Sequence, residues 1–211
     1  MKPIIQKRIL LSFVLFFICL QMMTAQNVIA GIRQRYASAK ERIETMKDEP
    51  RRYYEATVLA NLPGTGPHKE DIQMFHCVKE WIYNEDEDEF SDVYHVHPPL
   101  WLNFVTVKYN FAARDHYEEY LFDKDGKLEF FYALYIYDSD DSDHEYRFYY
   151  KDGKPFQVNI RKRPTGSEEL FVEEYSGKPR SKEESQFPQY VMLKASRYLH
   201  LFEALDDAAC Y

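Results

Sequence analysis

Residues Tyr117 to Arg161 read YEEYLFDKDGKLEFFYALYIYDSDDSDHEYRFYYKDGKPFQVNIR, and this stretch decides the fold. Aromatic, alternating segments are broken at Asp123-Lys124-Asp125-Gly126 and again at Lys151-Asp152-Gly153. Asp and Gly accept the left-handed backbone of a tight reversal, while the flanking Tyr, Phe and Leu favour a pleated, half-buried surface. The pattern predicts strands over Tyr117 to Phe122, Leu128 to Tyr137, Glu145 to Tyr150 and Pro155 to Arg161, with Asp138 to Asp143 as a polar connection. In the second of these, Leu128, Phe130, Tyr132, Leu134 and Ile136 alternate with Glu129, Phe131, Ala133, Tyr135 and Tyr137. Neither set is polar, so both faces of this part of the sheet need cover.

Toward the C-terminus, Arg163-Pro164-Thr165-Gly166 reads as a turn, and Leu170 to Val172 as one more strand that ends at Ser176-Gly177-Lys178-Pro179. Gln189 to Asp206 is amphipathic at helical spacing. Val191, Ala195, Tyr198, Leu199, Phe202 and Leu205 form one stripe, Lys194, Arg197 and Glu203 face away, and Pro188 occupies the first turn. Toward the N-terminus, strands are expected at Leu100 to Phe111, Ser91 to His97, Asp71 to Tyr83 and Arg51 to Ala60. An acidic loop (Asn84 to Glu89) and a Pro/Gly loop (Asn61 to Pro67) separate them. The Pro/Gly loop holds a Leu-Pro-Gly-Thr-Gly sortase-like string (Leu62 to Gly66). It lacks the C-terminal apolar span and basic tail of a sorting signal, and that reading is rejected. Before these strands, Val28, Ile32, Tyr36, Ala39, Ile43 and Met46 mark a helix from Asn27 to about Lys47.

Gly126-Lys127, Gly153-Lys154 and Gly177-Lys178 recur at spacings of 27 and 24 residues, each after an aromatic-rich segment. This rhythm resembles MORN-type hairpin repeats over about residues 117–179, a resemblance that implies one hairpin per unit and carries no function with it. The overall layout is similar to small exported bacterial proteins of unassigned function. The expected fold class is α+β: an antiparallel β-meander of about seven or eight strands, twisted enough to curl, with an N-terminal and a C-terminal helix packed on it.

Lys2, Lys7 and Arg8 precede an apolar stretch of twelve residues, Ile9 to Leu20, interrupted only by Ser12, and then Thr24-Ala25. That is too short to span a bilayer and suits a cleaved leader. Residues 1–25 are therefore expected as a signal peptide and 26–211 as a single exported domain, periplasmic or extracellular, with no transmembrane anchor after cleavage. Removing the leader's three basic residues takes the formal net charge from −8 to −11. So acidic a chain is a poor partner for nucleic acid or for an anionic membrane surface. Cys77 and Cys210 then remain. An oxidising compartment permits a bridge between them, and a buried Cys77 with a loose Cys210 is the other reading.

For function, two classes stand. The first is a non-catalytic binding or envelope-associated module, with Phe131, Tyr135, Tyr137, Arg147 and Tyr149 as a tyrosine-lined groove for a sugar, a peptide or an envelope protein. The second is a small secreted hydrolase, glycan-directed or metal-assisted. His95 and His97 lie two apart, so on a strand both rings leave the same side and can chelate a metal, although no third ligand is marked by spacing. The Asp138 to Asp143 run departs from the calcium-loop pattern at its sixth and twelfth positions, Asp143 and Tyr149. The sequence holds no Gly-x-Ser-x-Gly, His-Glu-x-x-His, phosphate-loop or Cys-x-x-Cys motif, so no cofactor is expected.

Overall fold

The structure is a computed structural model that describes residues 26–45, 54–62, 68–78, 100–111, 114–136, 141–179 and 181–209. The chain divides into two compact units, Met1–Ser38 and Ala39–Tyr211. In the first, residues 26–38 are helical and form the leading part of helix α1, which spans residues 26–45. Among the described residues the second holds the last turns of α1, eight strands and a long helix.

The strands are β1 (Tyr54–Leu62), β2 (His68–Val78), β3 (Leu100–Phe111), β4 (Arg114–Phe122), β5 (Leu128–Tyr135), β6 (Ser142–Lys151), β7 (Lys154–Pro164) and β8 (Val172–Gly177). They form one open antiparallel sheet in the order β1-β2-β3-β4-β5-β6-β7-β8, so each strand lies beside its neighbour in sequence. The final helix, α2 (Lys182–Ala209), packs on one face. The α+β meander expected from the alternation is thus the observed architecture, with β3 at the predicted bounds. The expected strand at 91–97 lies outside the described residues.

The two Asp-Gly turns are hairpins, as their chemistry requires. Asp152 and Gly153 both have positive φ, 51° and 68°, which gives the two-residue reversal whose twist matches that of the strands. At the other turn Gly126 has φ 74° and donates to the Asp123 carbonyl at 3.0 Å. The Asp123 carboxylate accepts from the backbone N–H groups of Asp125 and Lys127 at 2.9 and 2.8 Å. The third member of the glycine-lysine rhythm behaves otherwise: Gly177 closes β8, and the chain leaves the sheet for α2.

Helix α2 begins earlier than proline placement suggests. Pro188 is buried inside it, six residues after Lys182, because Phe187 beside it is held by rings of the sheet. Proline cannot supply a helical N–H donor, yet its carbonyl accepts from the Tyr150 hydroxyl at 3.0 Å, which ties this irregular point to β6. The stripe Val191, Ala195, Tyr198 and Phe202 is buried against Met74, Val105, Val107, Tyr120, Phe131, Ala133 and Phe148. These sheet residues share a face because cross-strand register pairs Tyr120 with Phe131 and Phe131 with Phe148. The opposite face is also well packed, with Phe104, Leu121, Phe130 and Tyr149 all at most 4% exposed.

Candidate functional site

Strand β4 carries two consecutive glutamates in an otherwise aromatic run, and alternation sends them to opposite faces. Glu118 and Glu119 are 2% and 1% exposed. Burying a carboxylate is costly unless it is hydrogen-bonded and its charge is matched, and each of the two has at least one hydroxyl donor and a lysine beside it.

On the α2 face, the Glu118 carboxylate accepts four hydrogen bonds. Tyr109 of β3 donates at 2.9 Å and Tyr135 of β5 at 2.6 Å to Oε1. Tyr120 of β4 donates at 2.5 Å and the Lys194 ammonium of α2 at 2.7 Å to Oε2. The ammonium also lies over the Tyr109 ring, 4.5 Å from its centroid. Burial pushes the Glu118 pKa up, but the Lys194 charge, with hydrogen bonds from Lys194, Tyr120 and Tyr135, outweighs it and holds the carboxyl below 4.5. The phenols move the other way: burial first, then the Glu118 charge, raises Tyr109, Tyr120 and Tyr135 above 10.0. At neutral pH the network therefore holds one carboxylate among three neutral phenols.

Above this network a cleft of about 570 Å³ opens between α2 and strands β1 to β4. Its wall includes Glu70, Tyr109, Tyr190, Lys194, Arg197 and Tyr198. Tyr109 stacks on His116 with ring centroids 4.9 Å apart and planes 12° apart, and His116 meets the Tyr135 ring edge-on at 4.5 Å. Tyr190 is 53% exposed and presents its ring to solvent. The Tyr198 hydroxyl is buried with no hydrogen-bond partner among the described residues.

On the other face, Glu119 accepts from Lys40 of α1 at 2.7 Å and from the Tyr117 hydroxyl at 2.5 Å. A smaller cleft of about 320 Å³ lies there, with Glu44, Glu55, Gln73, Thr106 and Lys108 also in its polar wall. Farther along the same face, Glu145 pairs with Arg161 at 3.0 Å and with Arg147 at 3.2 Å, and Asp143 with Arg163 at 3.1 Å.

The tyrosine groove read from sequence is not assembled. Phe131 and Tyr135 are on the α2 face, whereas Arg147 and Tyr149 pair across from Tyr132 and Phe130 and so lie on the other. Phe131 and Tyr149 are fully buried, Tyr135 binds Glu118, and Arg147 sits over the Tyr132 ring at 5.8 Å. Parity is what separates them: 131 and 135 are odd positions of β5, and their neighbours on β6 are 148 and 144. Tyr137, His95, His97 and Cys210 lie outside the described residues. Among the described residues no three His, Cys, Asp or Glu side chains gather as metal ligands. Among the described residues Cys77 has no disulfide partner, and its sulfur lies 2.9 Å from the Arg42 guanidinium.

Sequence reasoning missed Glu118 and sent Lys194 outward. The signal for Glu118 is its place: a pair of acids inside Tyr-Glu-Glu-Tyr, both flanks aromatic, cannot put both charges in water if each face is covered. Lys194 is three residues after Val191 and four before Tyr198, so its stem shares their side of the helix and its side chain is only 12% exposed. No protein-family model matches the chain, and neither a curated protein nor a solved structure matches it at a significant level.

Proposed function

We propose that the protein is a non-catalytic binding module, exported by its leader, whose ligand occupies the cleft between α2 and β1 to β4. One observation carries this reading: a carboxylate with every lone pair filled holds Tyr109 and Lys194 rigidly in the wall of an open cleft. Groups fixed in advance lose little freedom when a ligand arrives. The Tyr190 ring, 53% exposed, offers a face for a sugar ring, and Arg197, exposed on the rim, offers a fork for a carboxylate. The chemistry favours a saccharide bearing a carboxylate. A hydrolytic role is less well supported, because a general acid needs a raised pKa and Glu118 is held low, with four donors already upon it.

The test is titration of the protein with short uronic-acid oligosaccharides, with neutral oligosaccharides of the same length and carboxylate-ended peptides as comparisons, followed by calorimetry. Saturable binding of the acidic sugars, weakened about 10-fold or more by Arg197→Ala and by Tyr190→Ala, is expected. Equal binding by the wild type and both variants, or binding only to the peptides, would remove this assignment. Release of reducing sugar from the oligosaccharides would favour the hydrolase.

A further inference from the structure

An open sheet has two outer strands, and their backbones are defended differently. Outer strand β8 is six residues long and carries Glu173 and Glu174, the short and charged form that discourages further pairing. Outer strand β1 is nine residues long, and from Ala56 to Leu62 it reads Ala-Thr-Val-Leu-Ala-Asn-Leu, with no charge, no proline and no glycine. Among the described residues no strand pairs with its outer side. Leu59 is 64% exposed at its centre. A row of free N–H and C=O groups along such a segment is a template for another strand.

We propose that β1 is the contact through which two copies of this chain associate, edge to edge and antiparallel, about a two-fold axis. The argument for a second copy is self-complementarity. An axis through Leu59 sets Leu59 against its own copy, Val58 against Ala60, Thr57 against Asn61 and Ala56 against Leu62. Glu55, the one charged residue of β1, lies outside this paired span of 56–62, so no like charges meet. The pairing covers the exposed leucine and joins two eight-stranded sheets into one.

Sedimentation equilibrium of the purified protein over a range of concentrations tests this. The expected weight-average mass rises toward twice the chain mass. Leu59→Lys should hold it at the single-chain value with an unchanged far-ultraviolet spectrum, while Val172→Lys on the other outer strand behaves as the wild type. Leu59→Cys should form a disulfide-linked dimer in oxidising buffer above the level of the unsubstituted protein, because directly opposed residues of an antiparallel pair are within disulfide reach. A wild type that stays at the single-chain mass throughout overturns the proposal. So does dimerisation that survives Leu59→Lys, or that Val172→Lys abolishes instead.

Discussion

Glu118 and Lys194 meet where both have left water, at 2% and 12% side-chain exposure, so each depends on the other for its charge. Removing one partner of such a pair strands the remaining charge, which typically costs about 3–5 kcal/mol. Lys194→Met should therefore lower the unfolding free energy by about 3 kcal/mol or more, measured by urea titration. Glu118→Gln combined with Lys194→Met should recover part of the loss, since no unpaired charge remains. A double variant as unstable as the sum of the singles would deny the coupling. The two hairpin glycines offer a second contrast. Each has a positive φ, so alanine at either costs about 1–2 kcal/mol. A Cβ on Gly126 would also lie 3.1 Å from Leu199 Cδ2, whereas one on Gly153 meets nothing within 4 Å. Gly126→Ala is expected to be the more destabilising of the two by thermal melting, and equal melting shifts would show that Leu199 yields freely.

Among the elements, α2 depends most on one aromatic side chain. Phe187 stands nearly perpendicular to Tyr146 and Phe148, at centroid distances of 5.0 and 5.2 Å, and touches Phe131 and Tyr135 at 6.1 Å. Phe187→Ala should cost about 3 kcal/mol and loosen the leading turns of α2 first, visible as faster amide exchange before Pro188. A uniform increase in exchange along the helix would refute the localised anchoring. The strands were legible in the sequence wherever alternation and turn chemistry agreed, as at β3, at the β4–β5 turn and at the β6–β7 turn. The start of α2 was not, because proline is as good a marker of a first turn as of a tolerated interior site, and only the sheet beneath Phe187 decides between them. The candidate cleft was hidden for a related reason. Its residues come from β1, β2, β3, β4 and α2, and no local spacing announces which lysine of a helix will reach which acid of a strand. The tyrosine groove failed on parity, since a choice by residue type across β5 and β6 mixed the two faces.

At the scale of the Ala39–Tyr211 unit, the buried titratable groups set a pH window. The Glu118 pKa is depressed in the folded protein, so its contribution to stability is full above the ordinary carboxylate value of 4.5 and is lost as pH falls through the folded value. Tyr109, Tyr117, Tyr120, Tyr135 and Tyr198 are raised, chiefly by burial, so they favour folding below pH 10.0 and cease to do so as pH climbs beyond it. Stability should form a plateau between these limits and fall on both sides, with the alkaline fall steeper than one group would produce. Denaturant midpoints measured from pH 3 to 11 check this, and an alkaline limb unchanged by Tyr135→Phe together with Tyr120→Phe would contradict the tyrosine assignment.

The eight strands among the described residues all precede α2 along the chain, and each can zip onto the one before it as it emerges. Until the helix follows, Met74, Val105, Phe131 and Phe148 stand uncovered on one side of the nascent sheet, and the Glu118 carboxylate has phenols but no counter-ion. The meander is thus greasy and acid-sensitive while incomplete. Docking of α2 closes that apolar surface and brings the Lys194 ammonium to Glu118 in the same step.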